Sequence, residues 1–210
     1  RRGFAIPRVG SGFILFFGQP RQRSANQSPA TLEAYLGFGA ALGNGRLSAA
    51  DRELVALAAS GANSCDYCAS PHSSLGKMAG LDESDIGEAL AGTLSDGRGG
   101  ALVAFTRQVV AQRGRIDADA IADIRAAGFD DGAIVEILGS IVANIFTNYF
   151  NHIAETEIDF PVVTTDSLAA VASSPSSRKD YDMTTTTLAA LIAAQALVAA
   201  SPALAVEENN

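Results

Sequence analysis

The sequence has only two cysteines in 210 residues, too few for the disulfide framework of a small secreted domain. Basic side chains are also scarce, because 15 Lys and Arg stand against 23 Asp and Glu, a formal net charge of −8. This acidic balance argues against nucleic acid as a partner, since phosphate binding needs clustered Lys and Arg. Sustained period-two alternation of β-branched residues is missing as well, which argues against strands. Hydrophobic residues make up 48% of the chain, enough apolar surface for most of it to fold.

Charge divides the chain into segments. Residues 1–27 carry five Arg and no acid, and we expect a poorly ordered basic arm there rather than a twin-arginine export signal. Residues 28–160 carry 8 basic and 18 acidic side chains, both cysteines and both histidines, and they are the predicted domain. Residues 161–182 have the composition of a linker, and residues 183–210 form an Ala-rich tail that resembles a signal peptide at the wrong terminus. We assign this tail no function.

The predicted domain contains apolar residues at helical spacing, with Ser, Asp or Gly at the ends of each segment. The predicted helices cover Pro29 to the stop at Gly43-Asn44-Gly45, Asp51 to about Ala62, Cys68 to Ala79, Glu83 to about Leu94, Ala101 to Gln112, Ala118 to the stop at Gly128, and about Asp131 to Ala154. Short connections favour antiparallel neighbours. The sequence therefore predicts an all-α fold, a compact antiparallel bundle of about six to seven helices. The last helix is apolar over much of its circumference, which places it in the core or in a subunit interface.

Both thiols lie close to a histidine in the sequence. At about 100° per residue, Cys65, Cys68 and His72 would emerge from one face of a helix. A thiol with a pKa of about 8.5 needs a helix N-terminus or an imidazolium to ionise at neutral pH, and both are near. Pro71 complicates this geometry, because the helix must either kink there or begin at Ser70.

Redox chemistry is favoured over a metal site at this position. Only Cys65, Cys68, His72 and Glu53 are candidate ligands, and the sequence has no second CxxC and no HxxxH. We therefore predict no metal and no cofactor, with a chemically inert cysteine pair as the remaining alternative. Glu53 lies in the first turn of its helix, where the helix dipole alone would favour a carboxylate.

The last helix carries three polar residues that are further candidates for the site. Asn144 and Asn148 either point into the site as hydrogen-bond donors or are satisfied within their own helix. His152 is interpreted as a polar surface or interface residue rather than a catalyst.

The stretch from Glu53 to His72, ELVALAASGANSCDYCASPH, resembles the alkylhydroperoxidase D-like branch of the carboxymuconolactone decarboxylase superfamily. That branch carries a glutamate twelve residues before a CxxC and a histidine four residues after the second cysteine, the spacing found here. The resemblance runs from about Pro29 to Phe160-Pro161 and covers essentially the whole acidic segment. Some members have a second histidine inside the CxxC, where Tyr67 stands in this sequence, which leaves the full proton relay an open question.

The resemblance implies an all-helical fold, assembly into trimers or hexamers, and thiol-dependent reduction of hydroperoxides. It implies that Cys68 attacks the peroxide, that Cys65 resolves the product, and that Glu53 and His72 relay protons. We expect a cytoplasmic enzyme with a hydroperoxide substrate and an external dithiol reductant, such as a lipoyl-bearing or thioredoxin-type protein, and no association with nucleic acid or membranes. Two alternatives stay open: a carboxymuconolactone decarboxylase-like acid–base enzyme, and a non-enzymatic redox-sensing helical module.

Overall fold

The computed structural model describes residues 28–95 and 97–165, and this part of the chain forms seven α-helices and no strand. The helices are α1 (Pro29–Gly43), α2 (Ala49–Ala62), α3 (Asp66–Met78), α4 (Glu83–Ala91), α5 (Gly97–Gln112), α6 (Ala118–Ala126) and α7 (Asp131–Ala154). The predicted all-α helical bundle is confirmed. The basic arm at 1–27, the rest of the predicted linker from 166 and the Ala-rich tail lie outside the described residues.

Side-chain caps begin most helices at the positions that the sequence indicated. At the start of α2, Ser48 and Asp51 form a capping box, in which each side chain accepts the backbone N–H of the other residue. Asp82, Asp117 and Asp130 each accept the backbone N–H three residues further on. These caps satisfy donors that a helix leaves unpaired, and they explain why α4, α6 and α7 begin where predicted.

Helix α2 lies at the centre of the bundle and contacts α3, α4, α5 and α7. Its side chains are buried for most of its length, and they pack against wholly buried residues of the surrounding helices. Those residues include Leu90 of α4, Leu102 of α5, and Ile137 and Ile141 of α7. Helix α1 packs on α7 and has no buried residue. Because α2 is held on several sides, the residues at both its ends are fixed in position.

Helix α3 begins earlier than predicted, at Asp66 rather than Cys68. The Cys65 sulfur takes the N-cap position and accepts the Cys68 N–H at 3.3 Å, so two more residues can adopt helical geometry. Pro71 lies inside the helix, and the alternative in which α3 begins at Ser70 is wrong.

Helix α2 begins at Ala49, two residues before the predicted Asp51, and two further boundaries differ from prediction by three residues or more. Helix α4 stops at Ala91 instead of about Leu94, because Gly92 adopts a left-handed conformation with φ of 76°. Helix α5 begins at Gly97 instead of Ala101, although glycines are weak helix formers. Arg98 fixes this early turn: its guanidinium binds Asp51 and lies 3.8 Å from the centre of the Phe129 ring.

By length and composition alone, α7 is apolar enough to cross a membrane, the one such helix in the described ranges. Its inner face is part of the bundle core, where Ile137 and Ile141 are wholly buried. Its outer face exposes large apolar side chains at spacings of three and four residues: Val135, Leu138, Val142, Phe146, Tyr149 and Ile153. We call these six residues the α7 stripe.

The crossing of α2 and α4 depends on a missing side chain. A β-carbon at Gly61 would collide with the backbone carbonyl of Leu90, which cannot move without shifting α4. We expect Gly61→Ala to lower the free energy of unfolding by about 1–3 kcal/mol through overpacking. Gly39→Ala is the matched control, because nothing lies within 4 Å of that position. It should raise the same free energy by about 0.5–1 kcal/mol through helix propensity. Urea unfolding of both variants tests this. Equal free energies of unfolding for the two variants would contradict the expected collision at Gly61.

Candidate active site

The turn between α2 and α3 places the first cysteine at a helix N-terminus. Asn63 ends α2, Ser64 adopts a left-handed conformation with φ of 53°, and the Cys65 N–H bonds back to the Ser60 carbonyl at 2.9 Å. This sharp reversal leaves Cys65 as the residue that caps α3. A sulfur in that position lies where the helix dipole and the backbone N–H of Cys68 both favour negative charge.

The two cysteines are joined in a disulfide, with α-carbons 5.3 Å apart. This separation lies within the range that a disulfide spans without backbone movement. Cys65 and Cys68 are 1% and 3% exposed, and with Tyr67 they form a small apolar cluster separate from the main core. The pair can therefore open and close locally, at the edge of the bundle.

Glu53 and His72 form a second pair, which links α2 to α3. The Glu53 Oε2 atom lies 2.7 Å from Nδ1 of His72, although the residues are 19 positions apart. Their side chains are 10% and 21% exposed, so the contact is shielded but in reach of solvent. A carboxylate on Nδ1 orients the ring and leaves Nε2 as the nitrogen that can exchange a proton. The structure thus brings together the residue pair expected to relay protons.

In the disulfide state, the Cys68 sulfur and the His72 ring have different hydrogen-bond partners. In the described chain no hydrogen bond joins the two residues; the ring is bound to Glu53 instead. The Cys68 sulfur receives a different donor, the side-chain amide Nδ2 of Asn151 in α7, at 3.4 Å. Cys68 and His72 lie one helical turn apart on α3, at a spacing that places two side chains on the same face.

Sequence reasoning missed Asn151, because it lies 83 positions from Cys68 and only the tertiary fold brings them together. A signal was present in the spacing of Asn144, Asn148 and Asn151, a polar line along an otherwise apolar helix. Of the two asparagines that were considered, Asn144 donates to the Ser140 carbonyl of its own helix. Asn148 is wholly buried and accepts the amide of Asn63 at 2.8 Å. His152 is exposed, as expected for a surface or interface residue.

A segment after α7 covers the cysteines. We call residues 155–165 the strap. Within it, Ile158 and Phe160 pack on the cysteine cluster, and the Phe160 ring meets the Tyr67 ring edge-on at 5.9 Å. The strap therefore excludes solvent from both sulfurs.

Hydrogen bonds at the end of the strap attach it to α3. Val163 N–H donates to the Ser70 hydroxyl at 3.0 Å, and Thr165 donates to Asp66 through its N–H and its hydroxyl at 2.8 and 2.9 Å. Residues 161–165, assigned to the linker from their composition, are thus bound to the helical body. Asp66 also gains a role: its carboxylate is occupied by the strap.

No group of three or more His, Cys, Asp or Glu suited to a metal ion occurs among residues 28–95 and 97–165. The chemistry available at this site is that of a dithiol, an imidazole–carboxylate pair and an amide. This combination can exchange electrons by forming and breaking one S–S bond, with proton transfer nearby.

A sequence model of the carboxymuconolactone decarboxylase family matches residues 29–111. The matched segment runs from α1 through nearly all of α5 and includes Glu53, both cysteines and His72. It confirms the resemblance to this family over residues 29–111; the part of the resemblance from 112 to 161 lies outside the match. Members of this family are often enzymes, and they include alkylhydroperoxidase D-like peroxidases. No curated protein matches the chain.

Proposed function

Since the segment that carries the cysteines is a domain of the carboxymuconolactone decarboxylase family, we propose that the protein is a thiol-dependent peroxidase. The observation that carries this proposal is the buried Cys65–Cys68 disulfide beside the Glu53–His72 pair. A disulfide between cysteines three positions apart, at a helix N-terminus, resembles the redox-active pairs of oxidoreductases more than a structural cross-link. It closes so small a loop that it restricts the unfolded chain little.

The proposed cycle starts from the reduced pair. The Cys68 thiolate attacks the distal oxygen of a hydroperoxide, the O–O bond breaks, and the leaving alkoxide takes a proton to become an alcohol. Cys68 is now a sulfenic acid. The Cys65 thiol attacks that sulfur, a water molecule leaves, and the disulfide forms. An external dithiol then reduces the disulfide by two thiol exchanges and is itself oxidised to a disulfide.

In this proposal Glu53 and His72 move the protons. His72 takes the thiol proton of Cys68 through its Nε2 atom and returns it to the leaving oxygen. Glu53, bound at Nδ1, keeps the ring oriented and stabilises its protonated form. In the disulfide state Cys68 carries no proton and no hydrogen bond joins it to His72; in the reduced state the proton passes by direct contact or through an intervening water molecule.

Access to the sulfurs is restricted on the strap side. With both cysteines at most 3% exposed, a peroxide or a dithiol reaches them only after the strap shifts. We propose a small dithiol carried on an arm or a flat thioredoxin-type surface as the reductant, because either can approach a disulfide at the edge of the bundle once the strap has moved.

Steady-state consumption of hydrogen peroxide and of an alkyl hydroperoxide tests the proposed function. Dihydrolipoamide and reduced thioredoxin serve as competing electron donors, and glutathione serves as the monothiol control. We expect turnover with at least one dithiol and little with glutathione, because a second thiol on the same donor resolves the mixed disulfide. The absence of turnover with every dithiol and both peroxides would contradict the proposal.

The Glu53–His72 contact also supports a second candidate, an acid–base enzyme of the decarboxylase type. A carboxylate 2.7 Å from an imidazole is a general-base arrangement that needs no thiol. The two candidates differ in one property, since an acid–base enzyme keeps its activity when both cysteines are serine.

We further propose that copies of the chain assemble through the α7 stripe. Six large apolar side chains at spacings of three and four residues form the kind of seam that a second helix covers. We expect Val142→Glu, at the middle of the stripe, to reduce the molecular mass in solution to that of the 21.6 kDa monomer. Light scattering after size-exclusion chromatography measures this. Ala122→Glu, which adds the same charge on the exposed side of α6, should leave the mass unchanged.

A further inference from the structure

The two sulfurs obtain their hydrogen-bond donors from different parts of the fold. Cys65 accepts the backbone N–H of Cys68, a donor that the helix N-terminus provides. Cys68 accepts the side-chain amide of Asn151, which reaches across from the last turns of α7. Asn151 is itself buried, at 8% exposure, so water competes little for its N–H groups. The cysteine that the proposed cycle uses for attack therefore has a donor dedicated to it.

The orientation of this amide is fixed by the strap. The Thr156 hydroxyl donates to the Asn151 Oδ1 atom at 2.9 Å, and the Thr156 N–H donates to the Asn151 carbonyl at 3.1 Å. With its oxygen occupied by Thr156, the amide turns its nitrogen toward the Cys68 sulfur. A single chain of hydrogen bonds thus runs from the strap through α7 to the thiol.

We infer that Asn151 is a catalytic residue that stabilises the Cys68 thiolate, and that Thr156 is a positioning residue that holds its amide. This inference rests on the proposed function, in which Cys68 is the attacking thiol. A hydrogen bond donated to a charged acceptor is stronger than one donated to a neutral acceptor, so the amide favours the thiolate over the thiol. The Asn151 amide thus stabilises the ionised form of Cys68 through a hydrogen bond that does not involve His72.

Substitutions at Asn151 or Thr156 leave the charged groups around Cys68 unaltered. The elements around Cys68 carry these groups: Asp66 on α3, the Glu53–His72 pair, and the exposed His152, Glu155, Glu157 and Asp159. Of these, Asp66 is bound by Thr165, and Glu53 and His72 are bound to each other. Because none of them is altered, a changed thiol pKa in a variant of Asn151 or Thr156 reports on the amide.

The test uses a Cys65→Ser background, so that Cys68 is the only thiol. Serine at this position keeps an oxygen acceptor at the N-cap of α3. The fraction of thiolate is followed by absorbance at 240 nm against pH, and the rate of alkylation by iodoacetamide is measured in parallel. We expect Asn151→Ala to raise the pKa of Cys68 by about one unit, the scale of a hydrogen bond to a charged group.

Two further variants separate positioning from folding. Thr156→Val keeps the backbone N–H bond but removes the hydroxyl, and it should raise the same pKa by a smaller amount. Thr156→Ser restores the hydroxyl and should restore the original value. Asn144→Ala is the matched control on the same helix, because its amide bonds only to Ser140, and it should change nothing. If Asn151→Ala does not fold, the Thr156 pair still decides the question.

An unchanged pKa in a folded Asn151→Ala variant, or in Thr156→Val if the first variant does not fold, would overturn the inference. This experiment contains no peroxide, so it is distinguishable from a failure of the proposed function. A shifted pKa in a protein that consumes no peroxide would leave the amide role standing and remove the peroxidase. Peroxide turnover with an unshifted pKa would support the peroxidase and remove the amide role.

Discussion

Replacing Cys68 with serine should lower dithiol-dependent hydroperoxide consumption by about a thousandfold or more, to the background of dithiol and peroxide alone. In the proposed cycle this sulfur breaks the O–O bond, and a serine hydroxyl ionises far too weakly to replace it. The rate of peroxide loss with dihydrolipoamide or thioredoxin measures the effect. The double variant with serine at both Cys65 and Cys68 should be equally inactive.

Cys65→Ser is the informative partner of this change. With the resolving thiol removed, Cys68 should still attack one peroxide and then persist as a sulfenic acid, which dimedone labels. Cys68→Ser should give no such label. If the label appears in Cys68→Ser and not in Cys65→Ser, the two roles are reversed, with the N-cap sulfur as the attacking thiol. A decarboxylase-type acid–base activity that survives in the double variant would support the second candidate function instead.

The disulfide lies outside the main apolar core of the bundle. It belongs to a small cluster with Tyr67 at the edge of the fold, apart from the core that Leu57, Leu102 and Ile137 help to form. We therefore expect its opening on reduction to leave the main apolar core unchanged. A redox centre that cycles without unfolding the domain must be placed in this way, since stability here comes from burial elsewhere.

Much of the fold could be predicted because its signals are local. The caps at Ser48, Asp117 and Asp130 act within three residues, and the apolar spacing of α7 spans six turns of one helix. The boundaries that were predicted wrongly depend on contacts from elsewhere. Helix α5 begins early because Arg98 binds Asp51, 47 positions away, and packs on the Phe129 ring. No local preference of the glycines around Arg98 indicates this.

The site residues also divide into those that a local sequence signal indicates and those that only long-range contacts place at the site. Cys65, Cys68 and His72 are close in sequence, and Glu53 follows from the resemblance, so the four residues could be chosen without coordinates. The resemblance groups Glu53 with His72, and the two side chains are in contact at 2.7 Å. Their role in proton relay stays a prediction, and the donor to Cys68 was not predicted. Asn151 reaches the sulfur from α7, and the strap reaches α3 from 93 to 99 positions away. The polar line on α7 marks Asn151 as a candidate, but no periodic pattern in a sequence indicates which distant group such a side chain contacts.

The Glu53–His72 pair carries the second large effect. We expect Glu53→Gln to lower the second-order rate of Cys68 oxidation by peroxide by about a hundredfold at neutral pH, the usual scale of general acid–base catalysis. Glutamine keeps the size of the side chain but removes the negative charge from the imidazole Nδ1 atom. The ring is then less able to hold the thiol proton. Stopped-flow measurement of the first oxidation, before any reductant acts, isolates this step.

The pH profile distinguishes proton relay from support of the fold. Above the pKa of the Cys68 thiol the sulfur is already ionised, so the deficit of Glu53→Gln should shrink as the pH rises through that value. Asp51→Asn is the matched control: it is a buried carboxylate two residues earlier on α2, and its partner is Arg98. That change should lower the free energy of unfolding while leaving the rate of the folded enzyme near its original value. A Glu53→Gln deficit that stayed constant across pH would make Glu53 a structural residue, because a carboxylate that only supports α3 has no reason to matter less once the thiol has lost its proton.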